Sequence, residues 1–213
     1  YVQTMIQLAE KNPNIVVLDA DLMRAMNIFP FQEKFPERAI DCGIMEASMF
    51  GIAAGLSSVG KIPFAHTFAA FCARRACDQI FVSCAYSRQN VKIIGSDPGV
   101  TAQLNGGTHM PFEDLGIMRA IPGMTVIEPT DSVMIADIIR QVSVSYGTHY
   151  IRLVRKTTPQ IYREGSTFQI GKANLLRNGN DVTIAAMGLL VSEALKAAEL
   201  LHKDGISARV YDM

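Results

Sequence analysis

Residues 43–71 read GIMEASMFGIAAGLSSVGKIPFAHTFAAF. From about Ile44 to Val59 the run is apolar nearly all round, a pattern that predicts a helix buried on every side. After the turn at Gly60, KIPFAHTF has the length and content of a strand, and the next helix begins at once. Ala47, Gly51 and Gly55 recur at i, i+4 and i+8, which makes one small-residue stripe where a neighbouring helix backbone can approach closely. On another face Glu46 stands with Met49, Phe50 and Ala53. A carboxylate among such neighbours must be paired, solvated or put to use, because an unpartnered buried charge costs several kcal/mol. On local sequence alone, Glu46 has a plain alternative reading as a first-turn residue favoured by the helix dipole.

The same alternation extends in both directions. IVVLDAD precedes this stretch; a helix across FCARRACDQIFVSCAY, the strand VKIIGS, a glycine-rich loop, the short helix EDLGIMRA, MTVIEP, a helix from Asp131 to about Tyr146 and THYIRLVR follow it. Strands alternating with helices predict an α/β fold with a mostly parallel sheet of about six strands covered on both faces. Between Arg163 and Gly179 the pattern loosens. DVTIAAMG, a helix from about Leu190 to Asp204 and ISARVYDM then start a second β-α-β unit. This places a boundary near residue 165, with 1–165 as one domain and 166–213 as the incomplete start of another. The chain opens directly in a helical pattern and stops on a strand, which predicts a fragment of a longer polypeptide.

Composition excludes several classes. Twenty basic residues balance twenty acidic ones, and no basic cluster interleaves with aromatics, so the footprint of a nucleic-acid binder is missing. Cys42, Cys72, Cys77 and Cys84 lack CxxC spacing and sit in apolar surroundings, as small buried thiols do in a reducing cytoplasm. No apolar run approaches the roughly 20 residues of a membrane span. Phosphate-binding GxxxxGK[ST], dinucleotide GxGxxG, zinc HExxH and hydrolase GxSxG patterns are all absent, and the four histidines are spaced for no metal. The expected location is the cytoplasm.

Open α/β sheets bind ligands at the carboxyl ends of their strands. Residues predicted there are Asp21 after IVVLDA, His66, Phe68 and Phe71 in and after KIPFA, Asp97 after VKIIGS, His109 within NGGTHM, and Arg155 at the end of YIRLVR. Each alone has an ordinary explanation as core aromatic, loop histidine or surface charge. Together they outline one rim.

These motifs, with RACDQI and GSDPGVTAQLNGGTHMPFEDLGIMRAIPGMTVIEPTD between them, resemble in order and spacing the pyrimidine-binding domain of transketolase, a thiamine-diphosphate enzyme. The resemblance runs from about Ile15 to Arg155, and DVTIAAMGLLVSEALKAAELLHKDGISARVYDM resembles the opening of that family's C-terminal domain. It implies that Glu46 bonds N1′ of the cofactor's aminopyrimidine, where a carboxyl with a pKa raised by a dry pocket can share a proton with the ring. It further implies that Phe71 stacks on the pyrimidine with Phe68 beside it, and that Asp21 and Leu22 of the ADL motif lie against the cofactor. His109 would then bond sugar hydroxyls and Arg155 a sugar phosphate, with His66, Asp97 and Asn105 at the substrate.

The GDG motif that holds diphosphate and Mg²⁺ in this family does not occur. The resemblance therefore implies a split enzyme in which a partner chain carries the diphosphate and Mg²⁺, assembled as a heterotetramer around a homodimer of this chain. The activity implied is transfer of a two-carbon ketol group between sugars or sugar phosphates. The β subunit of a 2-oxo-acid dehydrogenase E1 component and a non-catalytic assembly domain of the same fold are the alternatives. Departures from the family fall on substrate positions: Asp97 stands where a histidine is common, Gln103-Leu104-Asn105 where GED is, and Arg74 where an aromatic is.

Overall fold

The computed structural model describes all of residues 1–213. The chain forms two compact units, one of Tyr1–Ile127 with Ile139–Lys156 and one of Glu128–Ile138 with Thr157–Met213. In chain order the elements of the first are α1 (Val2–Lys11), β1 (Ile15–Asp19), α2 (Phe29–Lys34), β2 (Ala39–Asp41), α3 (Glu46–Ser58), β3 (Ile62–Phe68), α4 (Ala69–Arg74), α5 (Cys77–Gln79), β4 (Lys92–Ser96), α6 (Asp114–Arg119) and β5 (Thr125–Ile127). The helix α7 (Ser132–Val144) runs through both units, and β6 (His149–Leu153) completes the first sheet.

That sheet has six strands in the order β2-β1-β3-β4-β6-β5, and every neighbouring pair is parallel. The β1 and β4 strands are buried throughout, as expected of parallel strands covered on both faces. From β1 the chain moves to β2 on one side and then to β3 on the other. The order therefore reverses between β1 and β3, and open α/β sheets place their ligand crevice beyond the carboxyl ends at such a point.

Met49, Phe50 and Ala53 of α3 pack with Val16 and Leu18 of β1, Ala65 of β3, Ile93 of β4 and Tyr150 of β6. Full burial of a side chain such as Phe50 stabilises by about 2–3 kcal/mol. Gly95 is required where it stands, since a Cβ there would lie 2.6 Å from the Tyr150 ring. The Tyr150 hydroxyl donates to Asp114 Oδ2 at 2.7 Å, and Arg152 donates to both Asp114 oxygens at 2.9 and 3.0 Å, which satisfies a fully buried carboxylate.

Two features depart from expectation. First, α3 is not buried all round. Ile44, Met45, Ile52 and Val59 are exposed, and nothing within the chain lies within 4 Å of a Cβ placed at Gly51 or Gly55. Uniform hydrophobicity identified the helix but could not say which of its faces the rest of the chain covers. Second, the helix expected across residues 71–86 is interrupted. The Arg75 and Ala76 amides both donate to Phe71 O at 3.1 Å, closing α4, and α5 continues as a π-helical stretch over Ile80–Tyr86. Phe81, Val82 and Tyr86 of that stretch are exposed.

The second unit contains β7 (Asn174–Arg177), β8 (Val182–Ala186), α8 (Leu190–Lys203) and β9 (Ala208–Asp212). β8 and β9 are parallel with α8 as their crossover, the β-α-β start that the sequence predicts. β7, which the alternation did not reveal, pairs antiparallel on the other edge of β9. Ala194 and Ala198 of α8 pack on Ala208 and Val210. No helix is long and apolar enough to cross a membrane.

Candidate active site

Glu46 opens α3 and is 3% exposed, yet it caps nothing, since Met45 occupies the N-cap and no side-chain cap bond forms. Its carboxylate instead accepts a hydrogen bond from Arg75 Nη1 at 2.8 Å. The Arg75 side chain is 49% exposed and its guanidinium lies 3.9 Å above the Phe71 ring centroid. Arg75 stands at the C-cap of α4, where that helix ends.

From Phe71 the contacts continue outward. Phe68 meets Phe71 edge-on with centroids 5.8 Å apart, and His109 stands edge-on to Phe71 at 5.0 Å and to Phe68 at 5.4 Å. Arg155 then lies 5.0 Å from the Phe68 centroid, and its Nε is ion-paired with Asp97 Oδ2. Asp97 is 1% exposed with φ of 54°, a left-handed conformation that a non-glycine residue keeps only where its surroundings enforce it. Its own amide donates to Leu153 O at 2.9 Å. One unbroken path thus joins Glu46, Phe71, Phe68, His109, Arg155 and Asp97.

The loop that carries His109 is fastened by Arg74. Its Nη1 and Nη2 donate to Thr108 O at 3.1 Å and Met110 O at 3.3 Å, while Nε and Nη2 hold the Glu113 carboxylate, Nη2 at 3.2 Å. Arg74 pulls the Glu113 pKa down to about 2. Gly106, with φ of 81°, makes the turn into this loop, and a side chain there or at Gly107 would meet open space. From sequence, Arg74 figured only as a departure from the family at a substrate position, and Arg75 had no place in the site. Adjacent arginines at a helix end carry no periodic signal, and only the break after α4 shows that they serve two different partners.

The other expected residues sit apart from that path. Asp21 follows β1 with φ of 60° and donates its amide to Asp41 Oδ1 at 3.0 Å. Half-buried Leu22 donates its amide to Asp19 Oδ1. His66 is fully buried, with Nδ1 3.0 Å from Leu18 O and Nε2 bonded to the Tyr1 hydroxyl. Both ring nitrogens are therefore used inside the chain, and burial lowers its pKa to about 4. Asn105 is exposed at the end of a 3₁₀ stretch.

Asp19, in register with His66 across β1 and β3, went unnoticed in sequence. It is fully buried, its Oδ2 has no partner, and burial raises its pKa to about 7. Nothing in IVVLDAD distinguishes this aspartate from its exposed neighbour Asp21.

A buried carboxylate, an aromatic platform and hydrogen-bonding groups beyond it form the set that a nitrogen heterocycle with an attached polar substrate requires. Comparison with known proteins gives the family. Residues 1–160 match the family model for the transketolase pyrimidine binding domain, and residues 171–213 match that for the transketolase C-terminal domain. The chain is 53% identical over 213 residues to a 6-deoxy-6-sulfo-D-fructose transketolase subunit of Clostridium sp. (strain MSTE9), covering 100% of this chain and 66% of that protein. It is 34% identical over 214 residues to an apulose-4-phosphate transketolase subunit of Phocaeicola vulgatus, covering 100% and 69%. A solved split-gene transketolase, an inactive β4 tetramer, superposes with a TM-score of 0.91 at 42% identity, covering 100% of this chain and 69% of that one. This chain spans about two thirds of the length of these relatives. With its pyrimidine binding domain matched over residues 1–160, the chain belongs to the transketolase family.

Proposed function

We propose that this chain is the pyrimidine-domain subunit of a split, thiamine-diphosphate-dependent transketolase that moves a two-carbon ketol group between sugars. The observation that carries the reading is Glu46, a buried carboxylate at the start of α3 that faces, through Arg75, the ring of Phe71. The residues fit an aminopyrimidine. Phe71 offers a ring face for stacking, and Glu46 offers a carboxylate shielded from water for a ring nitrogen. Thiamine diphosphate, when bound, would supply the carbon nucleophile that cleaves the ketose and carries the two-carbon unit.

In this scheme Glu46 would share a proton with N1′ of the pyrimidine, and Arg75 would stabilise the carboxylate when the proton is on the ring nitrogen. Phe68 buttresses Phe71, and Asp21 and Leu22 line the cofactor from the end of β1. His109 orients sugar hydroxyls, and Arg155 meets the far, anionic end of the sugar. Asp97 and Asn105 border the same substrate. His66 stands behind the rim, and for it to touch substrate the Tyr1 hydroxyl would have to leave Nε2.

These 213 residues contain no GDG motif, and on the pattern of the split-gene relatives we assign the diphosphate and Mg²⁺ to a partner chain carrying that domain. The name of the split-gene neighbour, whose β-only tetramer is inactive, supports the same division of labour. The exposed apolar face of α3, with Ile44, Ile52 and Val59 and open Gly51 and Gly55, suits a second copy of this chain. Two copies and two partners give a heterotetramer, located in the cytoplasm.

The test is reconstitution. The chain mixed with its partner, Mg²⁺ and thiamine diphosphate is expected to transfer ketol groups between sugars, whereas the chain alone binds the cofactor weakly by calorimetry. Tight binding by this chain alone would contradict the divided site, and lipoyl-dependent decarboxylation would replace the reaction.

A further inference from the structure

The relatives' names span two kinds of sugar, one ending in a sulfonate and one in a phosphate. These groups differ in charge at neutral pH. A sulfonate carries one negative charge, whereas a phosphate monoester, with a second pKa near 6, carries about −1.5 to −2.

Three observations bear on which of them the far end of the site suits. A cavity of about 300 Å³ is bordered by Arg155 together with Tyr1, Gln3, Asn27, Pro30 and Leu153, a mixed polar and apolar lining in which Arg155 is the one cationic side chain. Arg155 does not bring a full positive charge to it, because Nε is ion-paired with Asp97, whose amide and carboxylate tie it in turn to Leu153 and to the Arg155 backbone. Finally, Asp97 is 1% exposed, so neither water nor salt screens its charge well from a neighbouring anion. The Nη groups of Arg155 make no hydrogen bond within the chain and remain available as donors.

The geometry points to Asp97 as a specificity-determining residue that makes this subsite nearly neutral and selects a sugar with a singly charged terminal group, a sulfonate, against one ending in a dianionic phosphate. This rests on the proposed placement of Arg155 at the substrate's far end. A guanidinium can give a sulfonate two hydrogen bonds without needing a second cation. A second negative charge would meet the Asp97 carboxylate at short range, where like charges separate poorly from each other's field. An aspartate held in a left-handed conformation by a backbone bond and an ion pair has no easy rotamer by which to withdraw.

The experiment uses the reconstituted complex and measures kcat/KM for a ketose 6-sulfonate and the matching 6-phosphate, each divided by that for an uncharged short ketose. Wild-type complex is expected to favour the sulfonate by about tenfold or more, and Asp97→Asn and Asp97→His to shift the phosphate-to-sulfonate ratio towards phosphate by about tenfold. A wild-type preference for phosphate, or an unchanged ratio in both folded variants, overturns the proposal. Arg155→Ala should weaken both charged substrates relative to the uncharged one; if it leaves both unaffected, the subsite lies elsewhere and the proposal also fails. Should no ketose turn over, the reading of the reaction fails separately, and calorimetric binding of the two sugars to the complex still decides the anion preference in the same sense.

Discussion

The Glu46 carboxylate and the Arg75 guanidinium meet at 2.8 Å, although the first is 3% exposed and the second, by side chain, 49%. A buried acid thus reaches the solvent boundary through its partner. This pairing answers what a single carboxylate does in an otherwise apolar helix, and it separates two effects that mutation can resolve. Glu46→Ala removes the proposed proton partner of the cofactor and leaves Arg75 with access to water, so turnover of the reconstituted complex should fall by at least about 10³-fold while stability drops by no more than about 1 kcal/mol. Arg75→Ala does the reverse, stranding a buried carboxylate. Its cost should be about 1–3 kcal/mol with a smaller loss of rate. Urea unfolding and steady-state rates on both variants check the pair; retained activity in Glu46→Ala would leave that residue a structural role only.

Asp19 makes stability depend on pH in a defined direction. Its pKa stands near 7 in the folded chain against the ordinary 3.8, so between these values the native state holds a proton that the unfolded state has lost. Stability must then fall as pH rises through that window, and above pH 7 the ionised carboxylate, with Oδ2 buried and unpartnered, costs most. Asp19→Asn should raise stability by about 2 kcal/mol at pH 8, roughly 4–8 °C in Tm, and by little at pH 4. Thermal melts of both proteins at the two pH values decide it, and parallel shifts at both would mean that Asp19 is not the titrating group.

The sheet was legible because parallel strands buried on both faces leave continuous apolar runs such as IVVLD and KIIGS, and the crossover helices leave their own period between them. β2 and β7 leave no comparable mark. β2 has three residues and β7 lies on an edge with its side chains only partly buried, so neither needs an apolar run. At the rim, the grouping of Phe68, Phe71, His109 and Arg155 follows from strand ends being neighbours in any such sheet. The arginines that fasten those groups did not show. Whether a surface charge points to water or back onto an aromatic depends on where a helix stops, and that is decided by backbone bonds to Phe71 O rather than by residue type.

The open face of α3 should be an interface between two copies of this chain. Ile52 is exposed on a helix of high mean hydropathy, and the small residues Gly51 and Gly55 beside it leave room for a close helix approach. Ile52→Asp would place a charge in the centre of that face. Wild-type chain is expected to sediment as a dimer or larger assembly, and the variant as a monomer with unchanged secondary structure by circular dichroism. A wild-type monomer at tens of micromolar concentration would remove this interface.

Arg74 gives the sharpest separation of positioning from contact. It binds the carbonyls on both sides of His109 and anchors Glu113 beyond them. Arg74→Ala should therefore loosen residues 108–110 and let His109 drift from the two phenylalanines, lowering kcat/KM for ketose by about 10-fold through misplacement of His109. Arg74→Lys keeps the charge beside Glu113 but cannot span two carbonyls and a carboxylate with one ammonium, so it should recover only part of the loss. Because the Arg74–Glu113 pair is exposed, the fold itself should hardly notice. Hydrogen exchange at residues 107–110 offers a readout independent of activity, and unchanged protection in Arg74→Ala would show that the loop is held by something else.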